Sequence, residues 1–209
     1  MKYPIAALVL GFFAALSVAA PQRTSVDDNV DVDPAQVYLE GITYAGTGCK
    51  VGSGAITKTQ DSRIVTLEFN SFVASIGPGV AFDERRKNCN LNINLHYPGG
   101  YQYTLYQIDY TGSANLDVGV TAKLQSIYWF AGFLNQRATL QTTLKGKYVN
   151  SYAIHDILPP DAWVWSPCGA STTLNIDTEV SLANDPTTAS GTVIDSRFRV
   201  IYGVRWRRC

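Results

Sequence analysis

The sequence contains little histidine and no excess of either charge. Its only histidines are His96 and His155, and no G-x-S-x-G motif or metal-ligand spacing accompanies them. Both are predicted to be exposed or hydrogen-bonded polar side chains. Lys plus Arg and Asp plus Glu each number 17, and this balance argues against a nucleic-acid-binding protein. No catalytic residue, metal ligand or cofactor is predicted.

The sequence also lacks an apolar run long enough to cross a bilayer, which requires about 20 residues. Its longest uncharged apolar segment covers residues 5–18, follows Lys2 and is succeeded by small residues. This layout is typical of a secretory signal peptide. Cleavage is predicted after Ala19 or Ala20, with Ala19 favoured, so residues 1–19 are assigned to the signal peptide. The mature protein is therefore expected to be extracellular and away from the membrane; an uncleaved N-terminal anchor is the alternative.

Cysteine is sparse, and no C-x-x-C motif is present, so a zinc site is the weaker interpretation of the four cysteines. An even number in an oxidising compartment predicts two disulfides. Three pairings are possible. We favour Cys49–Cys89 with Cys168–Cys209, because a bond at the last residue would hold a terminal strand that would otherwise fray.

Beyond the signal segment, no stretch shows the apolar period of a helix. Residues 20–36 are predicted to be a flexible leader, and residues 37–209 a single domain. KNCNLNINLH (87–96) alternates apolar and polar side chains, and YQYTLYQIDY (101–110) is predicted to be its hairpin partner across the PGG turn. Separate strands are also predicted in LDVGVTAKLQ and SIYWFAGFL. About nine or ten short strands indicate an all-β fold, an antiparallel β-sandwich or jelly-roll-like domain.

The last predicted strand carries a distinctive charge pattern. Its arginines fall on odd positions and its apolar residues on even positions, which predicts a basic outward face; they are Arg197, Arg199, Arg205 and Arg207. Trp163 and Trp165 flank Val164 and would face the same way in an extended segment. These arginines and tryptophans are the candidate partner-binding residues. The alternatives are a solubilising face paired with acids, and tryptophans that pack beside a disulfide.

Tyrosines and carboxylates provide two further candidates. Several tyrosines crowd one predicted strand, where their rings could stack on sugars or anchor a partner; they are Tyr101, Tyr103, Tyr106 and Tyr110. Asp177 and Glu179 are two residues apart and share a strand face, as a glycosidase pair could. Any solvated strand face shows the same pattern, so it does not identify an enzyme.

Several segments together resemble a known protein family. They are GTGCKVGSG, RIVTLEFNSFVASIGPG, RKNCNLNINLHYPGGYQYTLYQIDYTGSANLDVGV, IYWFAG, VWSPCGASTTLNI and a final W-x-x-C. Their order and spacing resemble domain of unknown function 4360, a family of secreted proteins common in fungi, over residues 37–209. The resemblance implies secretion, two disulfides and a β-rich fold, and it supplies no catalytic residues. Family members from plant-associated fungi look like candidate effectors.

The leading functional hypothesis is a secreted, non-enzymatic binding protein of fungal effector type that acts on a host extracellular protein. Inhibition of a host protease would be one form of this activity. The alternative is a carbohydrate- or cell-wall-binding module that uses Trp163, Trp165 and the tyrosines. A carbohydrate-active enzyme with an unrecognised carboxylate pair is a third hypothesis. The expected partner is therefore a host protein or a wall polysaccharide, and not a nucleic acid.

Overall fold

The computed structural model describes residues 30–209 except 51, 53, 61–62, 70–71 and 170. The predicted signal peptide and residues 20–29 of the predicted leader lie outside this part of the chain. The described residues form eleven β-strands in two antiparallel sheets, with short 3-10 helices at Pro34–Gln36, Phe82–Arg85 and Pro160–Ala162. This architecture confirms the predicted all-β fold of two antiparallel sheets.

The strands are numbered along the chain. They are β1 (Tyr38–Ala45), β2 (Gly54–Lys58), β3 (Ile64–Phe69), β4 (Ala74–Ile76), β5 (Arg86–His96), β6 (Tyr101–Leu116), β7 (Val120–Phe130), β8 (Ala138–Lys145), β9 (Tyr148–Ile157), β10 (Thr173–Asn184) and β11 (Gly191–Arg208). The five-stranded sheet has the order β1-β5-β10-β7-β8. The six-stranded sheet has the order β2-β3-β11-β6-β9, and β4 also pairs with β11.

The core lies between the sheets because successive side chains of a strand point to opposite faces. In β7 every second residue is buried from Val120 to Phe130, and the residues between them face outward. Aromatic rings fill one end of this layer. The Tyr103 ring meets Phe130 edge-on at 5.2 Å and Trp206 at 5.3 Å between centroids. The outer faces of both sheets are thus left to polar and half-buried side chains.

A buried polar cluster joins the two sheets across this core. The Thr178 hydroxyl lies 2.8 Å from those of Ser126 and Tyr202, and Ser126 lies 3.2 Å from Tyr202. Burial raises the pKa of Tyr202 to about 12, so its hydroxyl stays neutral at ordinary pH. Each hydroxyl therefore has a partner, which offsets the cost of removing it from water.

The predicted hairpin between residues 87–96 and 101–110 is wrong. These segments become β5 and β6, but β5 pairs with β1 and β10, whereas β6 pairs with β11 and β9. The PGG turn therefore carries the chain from one sheet to the other. Local alternation identifies a strand and its buried face, but the choice of neighbour depends on strands that are distant in sequence.

The chain crosses between the sheets again after β6. The structure unites the two strands predicted in LDVGVTAKLQ and SIYWFAGFL into one strand, β7, preceded by a turn at Asp117–Gly119. Gly119 has a φ of +88°, and a Cβ atom there would lie 2.1 Å from the Asp185 carbonyl oxygen. Glycine is required at this turn both for its backbone conformation and for the close approach of the 185–186 loop.

The two disulfides join Cys49 to Cys89 and Cys168 to Cys209, with Cα–Cα distances of 5.5 and 5.9 Å. This confirms the favoured pairing. The second bond connects the end of β11 to the loop after residue 166, and the Cys209 N–H also donates to the Gly100 carbonyl at 3.0 Å. The last residue therefore anchors the end of β11 to two neighbouring segments.

Residues 30–36 contact the domain, although the sequence analysis assigned them to the flexible leader. The Val32 side chain is buried, and the Val30 N–H donates to the Trp206 carbonyl at 3.0 Å. Asp31 also pairs with Arg63. The leader prediction is corrected for these residues, because the alternation of valine and aspartate over residues 30–33 is too short to identify a packed segment.

Candidate functional site

The segment 158–169 positions both candidate tryptophans. It runs beside the first half of β6 and extends the six-stranded sheet where β9 ends. Its backbone N–H groups donate to β6 carbonyls at 2.8–2.9 Å, from Leu158, Ser166 and Gly169. Because Val164 is buried, Trp163 and Trp165 turn toward the outer face, in agreement with the orientation expected from their spacing.

The tryptophans meet the arginines of β11 in an Arg–aromatic ladder, which comprises Tyr106, Trp163, Trp165, Arg205 and Arg207. The Arg205 guanidinium lies between the rings of Tyr106 and Trp163, at 4.7 and 5.0 Å from their centroids. Arg207 lies 4.0 Å from the centroid of Trp165, and its Nε donates to Gln102 at 3.0 Å. Cation–π contacts of this kind contribute about 0.5–1 kcal/mol each.

The ladder brings together four of the predicted partner-binding residues. Trp163, Trp165, Arg205 and Arg207 are neighbours on one outer face and are all half-buried. The side chains of Arg197 and Arg199 lie outside the described part of the structure. The rings of Trp163 and Trp165 meet at 76° with centroids 5.9 Å apart. They therefore do not form the coplanar aromatic platform expected of a sugar-stacking site.

A different candidate site lies on the outer face of the five-stranded sheet. Two adjoining depressions, with volumes of about 640 and 480 Å³, share Ala131 and Asn175 in their lining. Together they form the amide groove, which we define by Thr43, Asn92, Asn94, Trp129, Phe133, Thr173 and Asn175. None of the described residues that line it carries a charge.

Strand register explains how distant parts of the sequence meet in this groove. Thr43 of β1 pairs with Asn92 of β5, Asn92 with Asn175 of β10, and Asn175 with Trp129 of β7. These four residues make a row across four neighbouring strands. With strands about 4.8 Å apart, the row is about 14 Å long. Asn94 and Thr173 form the next row, so the groove also extends along the strand direction.

The amides of the groove use only part of their hydrogen-bonding capacity within the protein. Thr173 donates its hydroxyl to Asn94 Oδ1 at 2.7 Å, and Asn92 Nδ2 donates to Thr43 at 3.4 Å. Asn175 Nδ2 donates to the Thr173 carbonyl at 3.4 Å. Since each amide offers two N–H donors and an acceptor oxygen, further donors and acceptors remain for a bound molecule.

The loop after β7 forms one wall of the groove. Gly132 begins the turn with a φ of +86°, and the Phe133 and Gln136 N–H groups donate within the loop at 3.0 and 2.9 Å. Phe133 is 44% exposed. Arg137 lies 5.1 Å from the Trp129 centroid and donates to the Leu134 carbonyl at 3.0 Å. The Arg137 guanidinium thereby connects the Trp129 ring to the loop.

The amide groove was not predicted from the sequence, although one feature of the sequence indicates it. Asparagine is depleted in strands, yet β5 carries it at every second position, at Asn88, Asn90, Asn92 and Asn94. A face that only needs to be soluble would be served better by Thr, Lys or Glu. Trp129 was read only as part of the strand predicted in SIYWFAGFL, because its neighbours in the row come from three other strands.

The candidate carboxylate pair lies farther along β10 from the groove. Burial raises the pKa of the Asp177 carboxyl. Glu179 accepts a hydrogen bond from Arg86 Nε at 2.8 Å and lies 3.9 Å from Lys123 Nζ. The two residues share a face, as their spacing predicts, but Glu179 is already engaged by two cations. This arrangement is that of an ion-pair network on a strand face.

Both histidines contact carboxylates. His155 hydrogen-bonds to Asp109 across β9 and β6, and Gln107 donates to the other Asp109 oxygen at 3.0 Å. His96 lies 3.4 Å from Glu40 and stacks on Tyr38 with centroids 4.4 Å apart. Within the described ranges, no three His, Cys, Asp or Glu side chains converge to hold a metal ion, and no helix is long and apolar enough to span a membrane.

Comparison with solved structures gives only distant matches. The carbohydrate-binding module TmCBM27, studied for specific mannan recognition, is 9% identical with a TM-score of 0.33 and covers 88% of this chain and 98% of its own. TmCBM61, solved with β-1,4-galactotriose, is 8% identical with a TM-score of 0.28 and covers 81% and 90% of the two chains. Backbones that superpose this poorly support no conclusion about function.

Comparison of sequences gives a clear relationship. An uncharacterized secreted protein of Arthroderma benhamiae (strain ATCC MYA-4681 / CBS 112371) is 45% identical over 181 residues, which cover 85% of this chain and 74% of the relative. This agrees with the predicted secretion, and the protein is a secreted one. The family described as Domain of unknown function (DUF4360) matches residues 35–209. The chain therefore belongs to the DUF4360 family, as the resemblance of its cysteine-centred segments predicted.

Proposed function

We propose that this secreted protein is a non-catalytic carbohydrate-binding protein, and that its binding site is the amide groove. The observation that carries the proposal is the row of Thr43, Asn92, Asn175 and Trp129 across four strands. Hydrogen-bonded strands hold this row in place, so little ordering is needed when a ligand binds. The function is thus the carbohydrate-binding alternative of the sequence analysis, with the site moved from Trp163 and Trp165 to Trp129.

The chemistry of the groove favours an uncharged polysaccharide. Sugar hydroxyls both donate and accept hydrogen bonds, and asparagine side chains offer both functions within one group. Trp129 and Phe133 supply apolar ring surface for the carbon-bound faces of a sugar. The lining residues are uncharged, and Arg137, the cation beside them, is engaged by the Trp129 ring and the Leu134 carbonyl. The groove therefore gives little electrostatic reason to select an anionic polymer. The expected partner is therefore a neutral polysaccharide of a cell wall.

Binding to insoluble neutral polysaccharides tests the proposal. Chitin, β-glucan, mannan and cellulose would each be incubated with the secreted protein, and the unbound fraction measured as a function of polymer concentration. Trp129→Ala is expected to weaken binding about tenfold or more, because an aromatic anchor at the centre of a site typically contributes 1–3 kcal/mol or more. Asn175→Ala should weaken it about fivefold through a lost hydrogen bond.

Trp163→Ala is the matched control, since it removes the same side chain from the opposite sheet. It should leave polysaccharide binding within about twofold, provided that circular dichroism shows all variants to be folded. Binding to a neutral polymer should also change little between low and physiological salt, because screening acts on charges. Loss of binding in Trp163→Ala with retention in Trp129→Ala would transfer the site to the Arg–aromatic ladder.

A host extracellular protein remains the second candidate partner, and the Arg–aromatic ladder favours it. Arginine, tryptophan and tyrosine are the residues most enriched among interface hot spots, and the ladder brings all three together. Capture from host extracellular fluid, compared between the unmodified protein and Arg207→Ala, tests this role. Inhibition of a protease is a finer form of the hypothesis, and no contact among the described residues favours it over other protein binding.

A further inference from the structure

An apolar cavity of about 240 Å³ lies between the two sheets, separated from the amide groove by the thickness of the five-stranded sheet. Leu39, Ile93 and Leu174 line it from the five-stranded sheet, and Ile56 and Val204 from the six-stranded sheet. Protein interiors are normally packed with few voids larger than a water molecule. A space of this size within an otherwise filled core therefore requires a physical explanation.

The cavity is placed where a small molecule can enter. Strand β1 pairs only with β5, and β2 only with β3, so both are edge strands, and both contribute to the lining. Leu39 on β1 is 41% exposed, and Lys58 on β2 is exposed as well. Within the described residues, the two sheets are thus open at the shared edge, while the interior of the cavity is formed by buried strands.

One polar group stands out in this apolar lining. Tyr103 lines the cavity and is buried, and within the described part of the structure its hydroxyl has no hydrogen-bond partner. Two other buried tyrosines differ in this respect: Tyr128 donates to the Leu105 carbonyl at 2.6 Å, and Tyr97 to the Pro167 carbonyl at 2.8 Å. Buried polar groups are nearly always paired, so the Tyr103 hydroxyl is a group for which a partner is missing.

The Tyr103 ring is held firmly in this position. Its ring meets Phe130 at 88° and Tyr97 at 80°, with centroids 5.2 and 5.3 Å apart, and Trp206 packs at 5.3 Å. Contacts on three sides prevent the side chain from turning its hydroxyl elsewhere. Tyr103, whose hydroxyl has no partner among the described residues, is therefore held in the wall of an apolar space. A few polar groups within an apolar lining are the usual composition of a small-molecule site.

We propose that this cavity binds an uncharged, largely apolar small molecule that carries one hydroxyl or carbonyl group and hydrogen-bonds to Tyr103. A cavity of about 150 Å³ accommodates benzene, which has six non-hydrogen atoms. In proportion to its volume of about 240 Å³, the present cavity would accommodate a molecule of about ten non-hydrogen atoms. The binding surface is independent of the amide groove, since the two sites lie on opposite faces of the same sheet.

Titration with naphthol tests this site. Naphthol is an apolar two-ring molecule with one hydroxyl, and naphthalene is the same molecule without it. The secreted protein with both disulfides should bind both, as measured by the fluorescence of the probe. Tyr103→Phe is expected to weaken naphthol binding about fivefold to tenfold, the effect of one hydrogen bond, and to leave naphthalene binding within about twofold.

A second variant tests the cavity itself, independently of the hydroxyl. Ile56→Phe extends a lining side chain into the space and should weaken both probes at least about tenfold, since an overfilled site has no room for them. Ala55→Phe adds the same ring to the neighbouring, exposed position of β2 and should leave binding unchanged. Trp129→Ala should also leave it unchanged, which separates this site from the amide groove.

Three results would overturn the proposal. Absence of saturable naphthol binding to the folded protein would show that the cavity does not admit a molecule of the stated class. Binding that persists in Ile56→Phe at the strength seen in Ala55→Phe would place the probe elsewhere on the surface. Equal effects of Tyr103→Phe on naphthol and naphthalene would refute the hydrogen bond to Tyr103.

Discussion

Tyr103 and Tyr202 are both buried tyrosines, but their hydroxyls have opposite energetic roles. The Tyr202 hydroxyl shares hydrogen bonds with Thr178 and Ser126, whereas that of Tyr103 has no partner among the described residues. Burial is the main cause that raises the pKa of both groups, so neither ionises at physiological pH. The difference between them is therefore one of hydrogen bonding alone.

Removing each hydroxyl should consequently shift stability in opposite directions. In ligand-free protein, Tyr103→Phe is expected to raise the free energy of unfolding by about 1 kcal/mol, because a buried group without a partner is removed. Tyr202→Phe should lower it by about 1 kcal/mol, since the Thr178 and Ser126 hydroxyls would keep only their hydrogen bond to each other. Urea denaturation at neutral pH measures both. A similar loss of stability in the two variants would show that Tyr103 has a partner after all.

At the scale of single elements, β11 depends on its outer face as well as on the core. Its inner side chains, such as Trp206, are buried, and its outer arginines lie against rings that belong to β6 and to the segment 158–169. Segment 158–169 has no regular strand of its own. The Arg–aromatic ladder therefore acts as the side-chain connection between this segment and the sheet.

Arg205→Ala should measure the strength of this connection. Loss of contacts with Tyr106 and Trp163 is expected to lower the free energy of unfolding by about 1–2 kcal/mol and to shift tryptophan fluorescence as Trp163 becomes more exposed. Arg208→Ala is the control: Arg208 is exposed and lies 5.8 Å from the Tyr101 centroid, so its loss should cost less than about 0.5 kcal/mol. Equal effects of the two variants would contradict a structural role for the ladder.

The elements also show what the sequence could reveal and what it could not. Alternation located β5 and its buried face, because side-chain period is a local property. It did not reveal that β5 and β6 lie in different sheets, since partner choice depends on packing between distant strands. The same limit hid the amide groove, whose central residues Thr43, Asn92, Asn175 and Trp129 are brought together only by register. The shared orientation of Trp163 and Trp165 could be predicted because two residues spaced in this way in an extended segment point to the same face.

At the scale of the whole molecule, neither disulfide connects the two sheets. Cys49–Cys89 joins the end of β1 to β5 within the five-stranded sheet, and Cys168–Cys209 joins the segment 158–169 to the end of β11 beside the six-stranded sheet. The sheets are held together by the core and by the Ser126–Thr178–Tyr202 cluster. The amide groove and the Arg–aromatic ladder, on opposite outer faces, should therefore respond separately to local damage.

Removing the second disulfide tests that separation. Replacing Cys168 and Cys209 by Ser is expected to lower the free energy of unfolding by about 4 kcal/mol, as for a closed loop of about 40 residues. At low temperature, where the protein stays folded, it should loosen the ladder and increase the exposure of Trp165 but leave polysaccharide binding within about twofold. Quenching of tryptophan fluorescence and the polysaccharide assay measure the two effects. Loss of polysaccharide binding in the folded variant would place the binding site near the ladder, and retention would assign it to the opposite sheet.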